Sequence, residues 1–407
     1  MRATRLTSAG WALFGASAAI AAACSDASPP AEAEPPPPIT EALRPHDVSI
    51  LYPLPAPHLR TTLLGTNSEG ARGPLLPQRY FSALPIIEEF AEAGNTYALL
   101  RVVSARLDPC FPTLDESAVD GCTPQLRLVF QPVLPVSVDE ELVLTTVDAA
   151  LHVFYELSDE ELELTLRRVV AARKRALPSD AVSVLGPHPA LLAEGPEGAF
   201  GEELADALLD VAGEKNLRRI TFMGVEGFGL IWRFGGFDVV EGELVPFAIP
   251  TVDDDDQIFS NADDDGIDFE GAFALPDVRS SDDIRLLFDS KTALAASREA
   301  QLEAYGAALR IESPDFHTPD TIDCVSCHVA ASAHAWAEDK LGIDPTTHES
   351  AYRGRRGELV AGATVRHTNR LRAFGYFASD VAISQRTANE TEAVMAFLDA
   401  RHGVDAR

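Results

Sequence analysis

Hydrophobic and polar residues alternate along several segments in the first part of the chain. A period of two is typical of strands that bury one face, and β-branched and aromatic residues are frequent in these segments, as strands favour. The alternation predicts strands over residues 48–52, 97–107, 125–131 and 217–225, and a hairpin within residues 229–249 that turns at Glu241-Gly242.

Between these strands the period changes to about 3.6 residues, which is typical of helices. Residues 147–157 and 204–211 fit this period. A further helix is predicted to begin at a capping box, Ser158-x-x-Glu161, and to continue to about Ala176. Residues 47–275 are therefore predicted to form an α+β domain with an antiparallel sheet.

From residue 276 onward the pattern is mainly helical. Predicted helices cover residues 284–288, 292–309, 329–341 and 388–401, and a connection rich in Gly, Pro and Arg precedes the last of them. We therefore expect residues 276–407 to form a second, mainly α-helical domain.

The N-terminus has the pattern of a secretory signal. Residues 9–23 are apolar, follow two arginines, and are too few for a membrane-spanning helix. They end in Ala21-Ala22-Ala23-Cys24, which resembles a lipoprotein processing site, although Ala21 replaces the usual larger aliphatic residue. We expect residues 1–23 to be removed and Cys24 to be lipidated. Ordinary cleavage after Ala23, with Cys24 as a stray thiol, is the alternative.

Residues 24–46 are rich in Pro, Ala and Glu. Such a segment cannot bury a core, so it is predicted to be an extended tether. Signal, lipid and tether together predict an exported protein that is lipid-anchored to a membrane and faces the periplasm or the cell exterior.

Composition and motifs exclude several functions. The formal net charge of −30 repels phosphate backbones, which disfavours nucleic acid as a partner. The sequence contains no phosphate-binding loop, no dinucleotide-binding glycine pattern and no Ser-His-Asp spacing. His152, Met223, Trp232 and Phe234 are interpreted as packing residues. Residues 47–275 are therefore assigned no function from sequence.

An acidic segment imitates half of a calcium-binding loop. Asn261, Asp263 and Asp265 alternate before Gly266, as ligands in such a loop do. The twelfth position is Ala272, where a bidentate glutamate is expected. A solvated acidic loop is the preferred interpretation, and calcium is the alternative.

Residues 324–328 read Cys-Val-Ser-Cys-His and carry the clearest chemistry in the chain. Two thiols three positions apart can each add across a vinyl group of a porphyrin and form a thioether. A histidine directly after the second thiol can then take the proximal position on the iron. Cys324 and Cys327 are predicted to bind one covalent haem c, with His328 as the proximal ligand.

A zinc site or a redox-active dithiol is the alternative for this motif. Zinc would need a second Cys or His pair at finger-like spacing, and the sequence has none. A thioredoxin-like motif would follow a strand of a small α/β domain, and no strand is predicted before Cys324. Export also takes the chain to an oxidising compartment, where Cys110 and Cys122 are expected to form a structural disulfide.

The order of elements around the motif resembles a monohaem c-type cytochrome. A helix precedes Cys-x-x-Cys-His, irregular chain follows it, and the terminal helix contains Glu-x-Glu-x-Val-x-Ala-Phe-Leu at residues 390–398. The resemblance covers residues 280–407. It implies a cytochrome c-like haem domain in an exported bacterial lipoprotein, with redox proteins as partners and with the helix before the motif packed across the terminal one.

The chain departs from this family at the distal ligand. Single-haem cytochromes commonly supply a methionine from the loop before the terminal helix, and residues 371–387 contain none. His367, which borders an apolar run, is the first candidate, and Met395 in the terminal helix is the second. His348 and an open position are the remaining alternatives.

We therefore expect a membrane-tethered electron-transfer protein rather than a catalyst. A haem enzyme or sensor with an open, peroxidase-like distal position is one alternative. A surface-binding lipoprotein, in which residues 47–275 act and haem is accessory, is the other.

Overall fold

The computed structural model describes residues 35–85, 93–112, 122–177, 184–226, 230–275, 280–345, 348–354 and 363–404. The predicted signal peptide, Cys24 and the first part of the predicted tether lie outside these ranges. Pro36–Arg407 forms one compact unit. Among the described residues, no helix combines the length and apolar character that a membrane crossing requires.

Antiparallel strands form the centre of the unit. The described strands are β1 (Ser49–Leu51), β2 (Glu69–Gly70), β3 (Gly73–Pro74), β4 (Leu100–Pro112), β5 (Cys122–Val138), β6 (Glu141–Thr146), β7 (Ala150–Glu156), β8 (Leu217–Glu226), β9 (Ile231–Val240), β10 (Glu243–Pro246), β11 (Asp256–Ser260), β12 (Phe273–Leu275), β13 (Phe374–Phe377) and β14 (Asp380–Ile383). Ten of them form one sheet in the order β1-β4-β5-β7-β8-β9-β11-β12, with β6 beside β5 and β10 beside β9.

Helices pack around this sheet. The described α-helices are α1 (Pro45–Val48), α2 (Gln78–Phe81), α3 (Ala93–Leu99), α4 (Asp159–Ala176), α5 (Pro189–Glu194), α6 (Ala199–Val211), α7 (Ser290–Ala295), α8 (Arg298–Ile311), α9 (Cys324–Leu341) and α10 (Gln385–His402). Helix α4 packs on α6 and on β4 and β5, whereas α9 packs on α8, β9 and β11. The fold is α+β, as predicted.

One hydrophobic core crosses the predicted domain boundary. Trp232 and Phe259 of the sheet share it with Phe288 and Trp336 from the C-terminal portion. The rings of Phe259 and Phe288 lie 5.3 Å apart in an edge-on arrangement. Because this core is continuous, the division into separate domains at residues 275 and 276 is not confirmed.

The folded part also begins earlier than expected. Ile39 and Leu43, which the sequence placed in the tether, are buried in the main core. The backbone N–H of Leu43 donates to Asp399 Oδ1 at 2.9 Å in α10. The last residues of the predicted tether are therefore folded against the terminal helix.

Two local predictions are confirmed. Ser158 caps α4, since its Oγ accepts from the backbone N–H of Glu161 while the Glu161 carboxylate accepts from that of Ser158. Strands β9 and β10 form the expected hairpin, and Glu241 and Gly242 both have positive φ, as a tight turn between twisted strands needs.

The prediction of a helix over residues 147–157 is wrong. Ala150–Glu156 forms β7, a central strand between β5 and β8. Alternation along β7 places Ala150, His152 and Phe154 on one face and Leu151, Val153 and Tyr155 on the other. The sheet environment of these β-branched and aromatic residues outweighs the helical spacing of the apolar positions. Residues 97–99 likewise belong to α3 instead of a strand, and residues 292–309 are divided between α7 and α8.

Gln257 on β11 fixes the beginning of α9. Its side-chain amide donates to Asp323 Oδ1 at 2.8 Å, and its Oε1 accepts from the backbone N–H of Val325 at 3.0 Å. Asp323 is the N-cap of α9, and the same oxygen accepts from the N–H of Ser326 at 2.9 Å. The first turn of α9, which contains Cys324, is thus fastened to the sheet.

We expect Gln257→Ala to lower the free energy of unfolding by about 1–3 kcal/mol. The substitution removes two buried hydrogen bonds at the start of α9, one to the Asp323 carboxylate and one from the backbone N–H of Val325. Denaturant unfolding measures the change. Gln78→Ala is the control, since Gln78 is exposed in α2, and its effect should stay within about 0.5 kcal/mol. Equal losses in the two variants would contradict this role of Gln257.

Candidate functional site

The Cys-x-x-Cys-His segment forms the first turns of α9. Residues three and four positions apart lie on the same side of a helix. Cys324, Cys327 and His328 therefore share one face, and all three line a single cavity.

This cavity lies between the sheet and the C-terminal portion. Including the part open to solvent, it contains about 930 Å³ of space between protein atoms. The sheet contributes Arg127 of β5, His152 of β7, Met223 of β8 and Phe234 of β9. The opposite side contributes the three motif residues, Arg372, and Arg386 and Glu390 of α10.

The imidazole of His328 is held in one tautomer. Its Nδ1 lies 2.8 Å from the carbonyl oxygen of Leu371. A carbonyl oxygen only accepts, so Nδ1 carries the hydrogen and Nε2 keeps its lone pair. Burial lowers the pKa of His328 to about 4, helped by the nearby Arg372 charge. His328 is therefore neutral near pH 7, with Nε2 ready to bind a metal ion.

Asp148 fixes the Leu371 peptide that orients His328. Its Oδ2 accepts from the backbone N–H of Leu371 at 2.7 Å and from Trp232 Nε1 at 3.0 Å. An acceptor on the far side of an imidazole, itself held in place, is the usual support of a metal-binding histidine. The sheet region thus positions the histidine of α9.

The two thiols are not activated as nucleophiles. Burial raises the pKa of Cys324, and Asp323 adds to this effect. Burial also raises the pKa of Cys327, to about 11. Redox-active cysteines have lowered pKa values that favour the thiolate, so these thiols do not resemble a redox-active dithiol. The chain before them is the loop after α8 rather than a strand.

Two of the guanidinium groups that line the cavity are paired. Arg219 donates to Asp238 at 2.6 Å and to Asp320 at 3.1 Å. Arg386 donates to Glu390 at 2.8 Å and to the carbonyl oxygens of Ile311, the last residue of α8, and of His317 in the loop that follows. Burial would raise the pKa of Glu390, but the neighbouring arginines lower it to about 2, so it remains charged.

Arg372 differs from these arginines. Only 1 % of its surface is exposed, and Nε, Nη1 and Nη2 have no hydrogen-bond partner among the described residues. Burial lowers its pKa to about 10, although Asp148 opposes the shift. A buried charge without hydrogen-bond partners is costly, and Asp148 offsets only part of that cost. The wall of the cavity therefore contains a guanidinium group that could pair with an anionic group.

The structure does not bring the predicted distal candidates to this cavity. His367 is exposed, and a backbone group of Gly266 contacts it. Met395 is buried in the main core. The ring of His348 packs 5.4 Å from that of Tyr305. None of the three is among the described residues that line the cavity.

The disulfide and the calcium site remain predictions. Cys110 and Cys122 belong to β4 and β5, but their side chains lie outside the described part, so the disulfide is untested. In the acidic loop, Asp263 accepts hydrogen bonds from the backbone N–H groups of Ile267 and Asp268. The Asp263 carboxylate therefore stabilises the turn through these backbone hydrogen bonds. Calcium binding stays the alternative prediction for this loop.

Sequence reasoning missed four residues of the site: His152, Asp148, Arg372 and Gln257. His152 was interpreted as a packing residue of a helix, and alternation over residues 150–156 was the signal that could have corrected this. The other three act through contacts with remote segments, for which no local pattern exists.

Comparisons with known protein families, with curated proteins and with solved structures gave no significant match for this chain.

We expect Arg372→Met to raise the free energy of unfolding of the haem-free chain by about 1–3 kcal/mol, because it removes a buried charge that has no hydrogen-bond partner among the described residues. The matched control Arg386→Met should lower it by about 3 kcal/mol, since it breaks a buried ion pair. Urea unfolding of protein made without cytochrome maturation measures both. A loss in Arg372→Met as large as in the control would show that Arg372 has a partner within the protein.

Proposed function

We propose that this chain binds one haem c through thioethers to Cys324 and Cys327, with His328 as the proximal ligand, and that it transfers electrons outside the cytoplasm. One observation carries the proposal. Two thiols and a neutral imidazole with a free Nε2 face the same cavity, whose wall contains the unpaired guanidinium of Arg372.

The donor set fits haem better than it fits zinc or a dithiol. Each thiol can add across a vinyl group, sulfur bonding to one carbon and hydrogen to the other, so no oxidant is needed. The carboxylates of a haem provide the anion that Arg372 lacks, since guanidinium groups pair with carboxylates in a planar fork. A zinc ion could be bound by the two thiols, His328 and His152, but it would add positive charge beside Arg372 and would supply no anion to that guanidinium.

Bound haem supplies a one-electron redox couple. The protein's own residues then have separate tasks. Leu371 and Asp148 orient His328, Arg372 neutralises a carboxylate, and Met223 and Phe234 exclude water on the sheet side.

The finer organisation belongs to the same proposal. Residues 276–407 act as the cytochrome c-like portion, and the sheet covers one side of its cavity. A lipid on Cys24 and the tether that follows it present the folded unit at a membrane facing the periplasm or the cell exterior. The lipid on Cys24 and the tether are supported by the sequence pattern of the N-terminus.

We expect the full chain, produced in a host with cytochrome maturation, to retain haem on a denaturing gel and to gain the mass of one haem. Cys324→Ala combined with Cys327→Ala should abolish the haem stain, because both thioethers are lost. Cys110→Ser combined with Cys122→Ser is the matched control and should keep it. A colourless wild-type chain, or a stain that survives loss of Cys324 and Cys327, would refute covalent attachment at this motif.

A further inference from the structure

His152 lies beside the proposed haem ligand, although the two residues are far apart in the chain. It is in the middle of β7, and its neighbours across the sheet are Val129 and Thr221. Its side chain lines the same cavity as Cys324 and Cys327. The centroids of the His152 and His328 rings are 6.5 Å apart, with the ring planes inclined by 48°.

The distance between the two rings can be compared with the distance expected for two imidazoles that bind one metal ion. When two imidazoles bind one metal ion from opposite sides, each through a nitrogen at about 2 Å, their ring centroids lie about 6 Å apart, whereas at a tetrahedral site they lie about 5 Å apart. The observed 6.5 Å is closer to the first value. An open haem site, in which a third molecule stands between the iron and a distal histidine, requires a wider gap. The spacing thus favours two ligands of one iron.

The His152 ring is also available as a ligand. Its Nε2 is buried and has no hydrogen-bond partner among the described residues. An unsatisfied buried nitrogen is unfavourable, and binding a metal ion would remove that cost.

His317 and His334 of the C-terminal portion do not line this cavity, and each lies beside a carboxylate. His334 Nδ1 lies 2.9 Å from Glu312, and His317 Nε2 lies 2.9 Å from Asp282. The competitor within the cavity is Met223, which follows two residues after Thr221 on β8. Met223 is 2 % exposed and belongs to the main core, which accounts for its position without a ligand role.

We propose that His152 is the distal axial ligand, so that the iron is held between the sheet and α9. This inference rests on the proposed function. It gives residues 47–275 a role that the sequence did not reveal, because a strand of that region completes the haem site. Two histidine ligands give a lower reduction potential than the histidine–methionine pair of typical cytochromes c.

The test uses full-length, haem-loaded protein and reads the axial ligands spectroscopically. We expect wild-type protein to show a low-spin, bis-histidine signal in electron paramagnetic resonance and near-infrared magnetic circular dichroism, and little carbon monoxide binding. His152→Ala should lose the low-spin signal and bind carbon monoxide readily, and added imidazole should restore the low-spin signal. His152→Met should retain a six-coordinate haem with a raised reduction potential.

Two control variants separate the possible ligands. Met223→Leu and His367→Ala should both keep the wild-type spectrum. A low-spin signal that is lost in Met223→Leu and kept in His152→Ala would overturn the proposal in favour of Met223. A wild-type protein that is already high-spin and binds carbon monoxide would also overturn it. In each case a positive haem stain shows that only the distal assignment has failed, whereas a colourless wild-type chain refutes the proposed function itself.

Discussion

The hydrogen bond from His328 Nδ1 to the Leu371 carbonyl is the interaction on which the site depends. It fixes which ring nitrogen keeps a lone pair, and therefore whether the imidazole can bind a metal ion at all. The Leu371 peptide is held in turn by Asp148, which also accepts from Trp232. This series of hydrogen bonds thus connects α9, the segment before β13, and two parts of the sheet region. Displacing any of these segments would change the orientation of His328.

The cavity between the sheet and α9 also contains polar groups whose burial is unfavourable when no ligand is bound. Arg372 and His152 both line the cavity, and each has buried nitrogen atoms without a hydrogen-bond partner among the described residues. Both costs fall on the folded state as long as no partner is present. A ligand that supplies a carboxylate and a metal ion would offset both, because it binds only the folded chain. Stability and cofactor binding are therefore expected to be coupled in this protein.

The features that could be read from the sequence are local ones. The Ser158 capping box, the turn at Glu241-Gly242 and the face shared by Cys324, Cys327 and His328 each depend on residues within a few positions of one another. The strand at residues 150–156 could not be separated from a helix by apolar spacing, because it is buried on both sides by neighbouring parts of the fold. The single core around Trp232 and Trp336 depends on packing between remote segments, and no local pattern encodes it.

The resemblance to c-type cytochromes did not predict the residues on the proposed distal side. In the expected arrangement a loop before the terminal helix covers the haem, and His367 and Met395 were the nearest residues of suitable chemistry. Here the sheet lies across that side, and it brings His152, Met223 and Phe234 to the cavity from segments far upstream. His367 consequently remains at the surface, and Met395 packs in the core of α10. Because the sheet and the motif helix share one core and one cavity, the proposed haem site belongs to the whole folded unit and not to its C-terminal portion alone.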